Sequence, residues 1–207
     1  MIVASLKLPY RGKIRFSSPY GDRILNGASD WHNGIDLVGL DEKLIRAPCA
    51  ARVGVSTILN KETDRTRTWE WGNYVRLDCD DGARIYFCHL SERYVQAGQT
   101  VSAGEPIGAE GATGYAFGSH LHFEVRYGDR AVNPCPLLGI ENSAGILLQG
   151  DPVENWYDAD VAWAQEAGVL LGVGNGQLDL DSPCTRAQMC AFLHRLYNKI
   201  HQETGGT

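Results

Sequence analysis

Up to residue 140 the chain offers no long amphipathic helix, and this constrains its fold more than any other feature. Its apolar residues come instead in short runs. Val53-Gly54-Val55, Tyr74-Val75-Arg76-Leu77, Arg84-Ile85-Tyr86-Phe87-Cys88 and Leu121-His122-Phe123-Glu124-Val125 are the clearest. Short runs rich in β-branched and aromatic residues, bounded by turn signals, read as strands. Asp80-Asp81-Gly82 joins the second and third as a hairpin turn. Gly98, Gly104, Gly108, Gly111, Gly114 and Gly118 punctuate the next stretch, and 24 of the 207 residues are glycine. Turns this frequent leave room only for short strands, so the region is expected to be β-rich. The charged, apolar-poor residues 61–70 read as an exposed loop.

After Pro134-Cys135-Pro136 the texture changes. Residues 141–153 read as a connector. Val161, Ala164 and Ala167 then recur at helical spacing, with Gly168 as a stop. A second helix starts at Thr185-Arg186-Ala187-Gln188, which has the form of a capping box. Met189, Phe192, Leu193, Leu196 and Ile200 form its apolar stripe, and Gly172-Val173-Gly174-Asn175-Gly176 is the loop between the helices. Charge divides at the same place. Residues 1–140 carry 16 basic and 16 acidic side chains, whereas residues 141–207 carry three and nine. The whole net charge of −6 therefore lies in the last third, the mark of two modules.

Several classes are excluded by composition. A net charge of −6 argues against a general nucleic-acid binder. No run reaches the roughly 18 apolar residues that a membrane-spanning helix needs. The segment Met1-Ile2-Val3-Ala4-Ser5-Leu6-Lys7 is too short and broken for a signal-peptide core, so cytoplasmic synthesis is expected. None of the six cysteines forms a Cys-x-x-Cys pair, and a chain of this size needs no disulfide framework. Reduced, mostly buried thiols are expected.

The chemistry concentrates in histidine. Four of the six histidines fall in His32-Asn33-Gly34-Ile35-Asp36, Tyr86-Phe87-Cys88-His89-Leu90 and His120-Leu121-His122-Phe123-Glu124-Val125. If the third motif is a strand, His120, His122 and Glu124 share one face, and Leu121, Phe123 and Val125 point into the core. Two imidazoles side by side suit one metal ligand beside one proton-transfer group. His89 is expected at a strand end on the face of Phe87 and Ile85, with Cys88 pointing away and outside any ligand set. An isolated His-x-His is usually surface decoration; here the set of three motifs carries the argument.

His32-x-Gly34-x-Asp36, His89-Leu90 and Gly114…Gly118-Ser119-His120-Leu121-His122-Phe123-Glu124-Val125 together resemble the LytM/lysostaphin-like zinc endopeptidases. Gly72-Asn73-Tyr74-Val75, Ala97-Gly98-Gln99-Thr100-Val101, Gly104-Glu105-Pro106-Ile107-Gly108 and Val132-Asn133-Pro134 fall in the family's order, so the resemblance covers roughly residues 15–136. One local departure is Ser119, where the family usually has proline. The resemblance implies that His32, Asp36 and His122 bind one Zn²⁺ per chain. It implies catalytic roles for His89 and His120. Either can be the general base; His120 is preferred, with His89 steadying the intermediate or donating a proton. It also implies cleavage of peptides in bacterial peptidoglycan across an open groove on a sheet, with Trp31, Trp69, Trp71 and Tyr115 as candidates for the rim. The fold class is then α+β: a mainly antiparallel β catalytic domain over 1–140 and a small helix-loop-helix module over 154–200, followed by a frayed tail at 201–207.

That second module resembles a single S-layer homology repeat. The matching pieces are Trp156-Tyr157-x-Ala159-x-Val161-Ala162-Trp163-Ala164, then Ala167-Gly168-Val169-Leu170-x-Gly172, then Thr185-Arg186-Ala187-Gln188 with Leu193 and Tyr197. This resemblance implies binding of wall polysaccharide through Arg186. Such repeats normally come in threes and bury their apolar faces against neighbours. A lone repeat is therefore expected to pack on the catalytic domain or to build a homo-oligomer. The combined expectation is a wall-degrading enzyme of the phage or prophage endolysin type, released to act at the cell wall. The alternative is a non-catalytic peptidoglycan-binding scaffold or amidase activator on the same fold.

Overall fold

The computed structural model describes residues 6–59, 68–153, 158–171 and 184–204. They fall in two compact units, Met1–Val153 and Glu154–Thr207. Trp156, Tyr157, the 172–176 loop and residues 61–67 of the expected exposed loop lie outside the described residues.

The first unit is almost entirely β. Its strands are β1 (Lys13–Ser18), β2 (Gly21–Leu25), β3 (Ala28–His32), β4 (Ile35–Gly39), β5 (Leu44–Arg46), β6 (Ala51–Ile58), β7 (Asn73–Asp78), β8 (Ala83–Cys88), β9 (Glu92–Arg93), β10 (Thr100–Val101), β11 (Pro106–Ala109), β12 (Leu121–Tyr127), β13 (Arg130–Val132) and β14 (Leu147–Gln149). The principal sheet runs in the order β10-β6-β7-β8-β12-β4-β1-β14, with β13 also on β12. Every strand pairing is antiparallel. A small sheet β5-β11-β9 and the hairpin β2-β3 complete the unit. This is the antiparallel β architecture expected from the sequence.

Alternation explains how the sheet is held. Across its centre the register sets Ile35 opposite Phe123, Phe123 opposite Phe87, and Phe87 opposite Val75. One residue along, Asp36 pairs with His122 and His122 with Cys88. Directly opposed residues share a face, so one face collects apolar side chains and the other the polar ones. Ile14, Phe16, Ile35, Leu37, Leu77, Ile85, Phe87 and Phe123 are fully buried. Burying each stabilises the fold by about 1.5–3 kcal/mol. Phe87 and Phe123 meet edge to face at 5.4 Å.

Within the stretch 141–153, β14 pairs antiparallel with β1, setting Leu148 opposite Ile14. Ile146 and Leu148 pack against the core, so this stretch adds an edge strand where the sequence suggests a connector. A four-residue helix α1 (Cys135–Leu138) ends at Gly139 in the left-handed region.

The second unit holds α2 (Asp158–Glu166) and α3 (Arg186–Thr204). Gly168 stops α2 with φ +71°, and the Val169 and Leu170 amides donate to the Ala164 carbonyl. The capping box at α3 forms as expected: the Gln188 amide donates to Thr185 Oγ1 at 3.2 Å, and the Thr185 amide to Gln188 Oε1 at 2.8 Å. The Arg195 guanidinium donates to the Val169 carbonyl at 3.1 Å and ties the two helical segments together. Among the described residues no helix is long and apolar enough to cross a membrane.

Candidate metal centre and active site

The polar face of the sheet gathers the histidines. His32 ends β3, Asp36 lies in β4, and His122 lies in β12. Their backbones approach closely because Gly34 has no side chain. A Cβ there would sit 2.5 Å from the Phe123 carbonyl oxygen and 2.9 Å from His122 Cε1, which is why the motif needs glycine at this point.

Three donor atoms converge. His32 Nε2 lies 2.9 Å from His122 Nδ1, and each lies 3.1 Å from Asp36 Oδ1. A tetrahedral zinc with ligands at 2.0–2.1 Å holds them roughly 3.3 Å apart, so the triangle is of the right size. The other ring nitrogens are engaged. His32 Nδ1 lies 2.8 Å from the Pro19 carbonyl oxygen, and His122 Nε2 lies 3.2 Å from Glu124 Oε2. An N–H donated to each of these acceptors leaves the inward nitrogen with its lone pair free, the arrangement of metal-binding imidazoles. Asp36 Oδ2 lies 3.5 Å from Arg23 Nη1. Two imidazoles and one carboxylate, all buried or nearly so, therefore fit a zinc ion and leave a fourth position open.

The charges respond to this crowding. Burial works against ionising Asp36, yet hydrogen bonds from His122 and His32 hold its carboxyl well below the usual range. Burial also works against a charged His122, but hydrogen bonds to Asp36 and Glu124 outweigh it and push the imidazole up to about 9.

His89 and His120 stand beside the triangle, with ring centroids 4.7 Å apart. His89 does not follow the alternation of β8. Its φ is +66°, so the chain turns sharply after Cys88 and swings the imidazole away from the Phe87 face to within 5.9 Å of the His122 ring. This corrects the expected orientation. Cys88 keeps the alternation of β8: opposite His122 and on the other face from Phe87, it is fully buried and outside the donor set. His89 Nδ1 lies 2.9 Å from the Thr113 carbonyl oxygen and His120 Nδ1 lies 2.8 Å from that of Gly118. With protons on those nitrogens, both Nε2 atoms can accept one; that of His120 lies 3.7 Å from Asp36 Oδ1. Burial, helped by the charges of His122 and His120, lowers His89 to about 4. It is neutral at physiological pH.

Residues 30–134 match Peptidase family M23. The chain belongs to this family. Among curated relatives, the M23 chain is 35% identical over 159 residues to DD-carboxypeptidase/endopeptidase Mpg of Neisseria meningitidis, covering 76% of this chain and 33% of that protein. It is 44% identical over 87 residues to lysostaphin of Staphylococcus simulans, covering 40% of this chain and 17% of that one. It thus spans about a third or less of these two relatives. Of solved structures, lysostaphin from Staphylococcus simulans superposes with a TM-score of 0.51 at 25% identity, over 65% of this chain and 53% of that one.

The M23 domain presents its site in an open groove. Trp31, Trp71 and Tyr115 line a cavity of about 140 Å³ with His32, His89 and His122. Trp69 packs edge to face on Tyr115 instead. A second cavity of about 260 Å³ is lined by Asp36, His120, Arg15 and Phe117 and shares Tyr115 with the first. Sequence reasoning gave no role to Glu124, Arg126 or Glu110. Glu124 is 1% exposed and bonds both His122 and the Arg126 guanidinium, which lies over the rings of Trp71 and Tyr86. Its place two residues after His122 in a strand is the signal that finds it. Buried Glu110 accepts hydrogen bonds from the Tyr10, Lys43 and Ser119 side chains and the Gly39 amide. Ser119, at the position usually held by proline, is thereby tethered directly before His120. Arg186 is exposed at the start of α3, in the other unit.

Proposed function

We propose that the chain is a zinc-dependent endopeptidase that hydrolyses peptide bonds in bacterial peptidoglycan. The observation that carries this reading is the triangle of His32, Asp36 and His122, open to a groove and flanked by two more histidines. The kinship to the DD-carboxypeptidase/endopeptidase Mpg and the likeness to lysostaphin support it. His32 Nε2, His122 Nδ1 and Asp36 Oδ1 would hold the metal. Zinc bound there supplies a Lewis acid and lowers the pKa of a water to about 7. His120, with Nδ1 held by Gly118, accepts the proton of the attacking water at Nε2. His89, neutral and held by Thr113, takes up a proton at Nε2 and then serves the departing amine or the charge developing on the carbonyl oxygen. Glu124 keeps His122 in the tautomer the metal requires.

The test is digestion of purified peptidoglycan by the zinc-loaded protein, with His122→Ala as control. New peptide amino termini found by mass spectrometry, and lost in the variant, are the expected result. Retention on the wall without release of product would favour the scaffold reading.

The second unit is read as a wall-targeting or assembly module of the S-layer homology type, supported by its capped helices and the Thr-Arg-Ala-Gln motif. Binding of the whole chain to purified wall polysaccharide, lost in Arg186→Ala, tests the first role; a mass above the monomer in dilute solution tests the second. The endolysin reading predicts that the chain lyses cells when a pore-forming protein is expressed with it and not when expressed alone.

A further inference from the structure

Where β6 begins and β7 ends, at the end of the principal sheet away from the groove, two thiols meet. Cys49 lies in the turn between β5 and β6, and Cys79 follows the last residue of β7. They are 30 positions apart in sequence, and their sulfurs are 3.5 Å apart. That is van der Waals contact. A disulfide needs about 2.05 Å, so the sulfurs must close by about 1.5 Å. The neighbouring backbone is already fixed, because β6 and β7 pair with Arg52 opposite Asp78. Both thiols are partly exposed, so a small oxidant reaches them. The other cysteines differ: Cys88 and Cys135 are buried, and Cys184 and Cys190 belong to the helical unit.

We propose that Cys49 and Cys79 form an oxidation site that closes an intrachain disulfide on reaction with a small-molecule disulfide such as oxidised glutathione. The Cys49 thiolate attacks one sulfur of the oxidant and expels one glutathione thiolate, leaving a mixed disulfide. Cys79 then loses its proton, attacks the Cys49 sulfur and expels the second glutathione thiolate. Two protein thiols are oxidised, and one glutathione disulfide is reduced to two thiols. The contact lets one thiol stabilise the thiolate of the other, and the exchange balances equally with the two residues reversed. A hydrogen bond from Cys79 favours the Cys49 thiolate, against burial and the charge of Asp81. The same contact, with burial, raises the Cys79 thiol.

The consequence is mechanical. β7 runs from Asn73, whose carbonyl accepts the Leu90 amide beside His89, to Asp78 next to the thiols. Six residues of strand place the staple roughly 20 Å from the groove. The bond therefore secures the far end of the sheet and leaves the histidine cluster as it is. Closing a loop of this length restricts the unfolded chain, and a rise in melting temperature of roughly 5–10 °C is expected.

The experiment uses the whole chain, incubated with oxidised glutathione or with dithiothreitol, alkylated under native conditions and digested with trypsin. Each cysteine falls in its own peptide, residues 47–52 and 77–84. The expected product is these two peptides joined, with a melting temperature above that of the reduced chain and an unchanged affinity for zinc. Cys49→Ser and Cys79→Ala each remove the joined peptide and the shift, and their reduced forms melt close to the reduced parent. Both peptides alkylated after oxidation, or glutathione retained on Cys49 with no joined peptide, would overturn the proposal. So would a joined peptide accompanied by no rise in melting temperature.

Discussion

In the sheet unit Ile14, Phe16, Ile35, Phe87 and Phe123 have no exposed surface, whereas along α3 Met189, Leu193, Tyr197 and Ile200 are 49–58% exposed. Each unit has a clear apolar pattern, yet only one uses it to build an interior from its own described residues. Strands from distant parts of the chain bring partners to each other in the first unit. Local hydrogen bonds at Thr185, Gln188 and Gly168 define the helix ends in the second. Helices held mainly by local signals are marginal, because most helical stability comes from packing an apolar face. The site follows the same division. Its donor atoms need positions fixed to fractions of an ångström, and they sit on the unit whose strands are locked by long-range burial.

This contrast gives its own tests, from the largest effect to the smallest. His122→Ala is expected to cut product release on the order of a thousandfold or more, because it removes a metal ligand from the rigid unit. Peptide release from purified wall, timed over hours, measures it. Glu124→Gln keeps the shape but weakens the hold on His122 Nε2, so zinc affinity is expected to fall about 10–100-fold in competition with a chelator. Unchanged affinity would detach Glu124 from the metal centre.

Glu110→Ala leaves Tyr10, Lys43, Ser119 and the Gly39 amide without their acceptor. Destabilisation of about 3 kcal/mol is expected, read as a lower melting temperature of the sheet unit. This difference depends on pH in a set direction. Burial opposes ionisation of Glu110, but hydrogen bonds from Lys43, Ser119, Gly39 and Tyr10 hold its carboxyl below the ordinary value. Its contribution is complete above the unfolded carboxyl pKa of about 4.3 and is lost as pH falls through the lower folded value. The gap between parent and variant should therefore be constant near neutrality and close in acid. Thr185→Ala is expected to cost only about 1 kcal/mol, confined to α3, as lost helicity in the far-ultraviolet spectrum with zinc affinity intact. A fall in zinc affinity would break the separation between the units.

Much of this was legible in the residues. Alternation around Phe87 and Phe123 announces a sheet with one apolar face, and the capping box and Gly168 announce helix ends, since these signals are local. The His-x-Gly-x-Asp and His-x-His motifs point to a metal site, and the family resemblance they carry implies His32, Asp36 and His122 as its ligands. What alternation could not give was the backbone at His89, whose positive φ reverses the direction of its side chain. Nor could it give the carbonyls of Pro19, Thr113 and Gly118 that set the imidazole tautomers, because a backbone acceptor leaves no mark in residue type. The Cys49–Cys79 contact was equally silent, since it depends on how β5, β6 and β7 meet. The strand at 147–149 was missed because three residues carry too little pattern to stand out.

X-ray absorption at the zinc edge of the zinc-loaded protein tests the central claim most directly. The account predicts one zinc per chain with only nitrogen and oxygen ligands near 2.0–2.1 Å, reduced to substoichiometric binding in His122→Ala. A sulfur ligand near 2.3 Å, or full zinc occupancy in the variant, would contradict it.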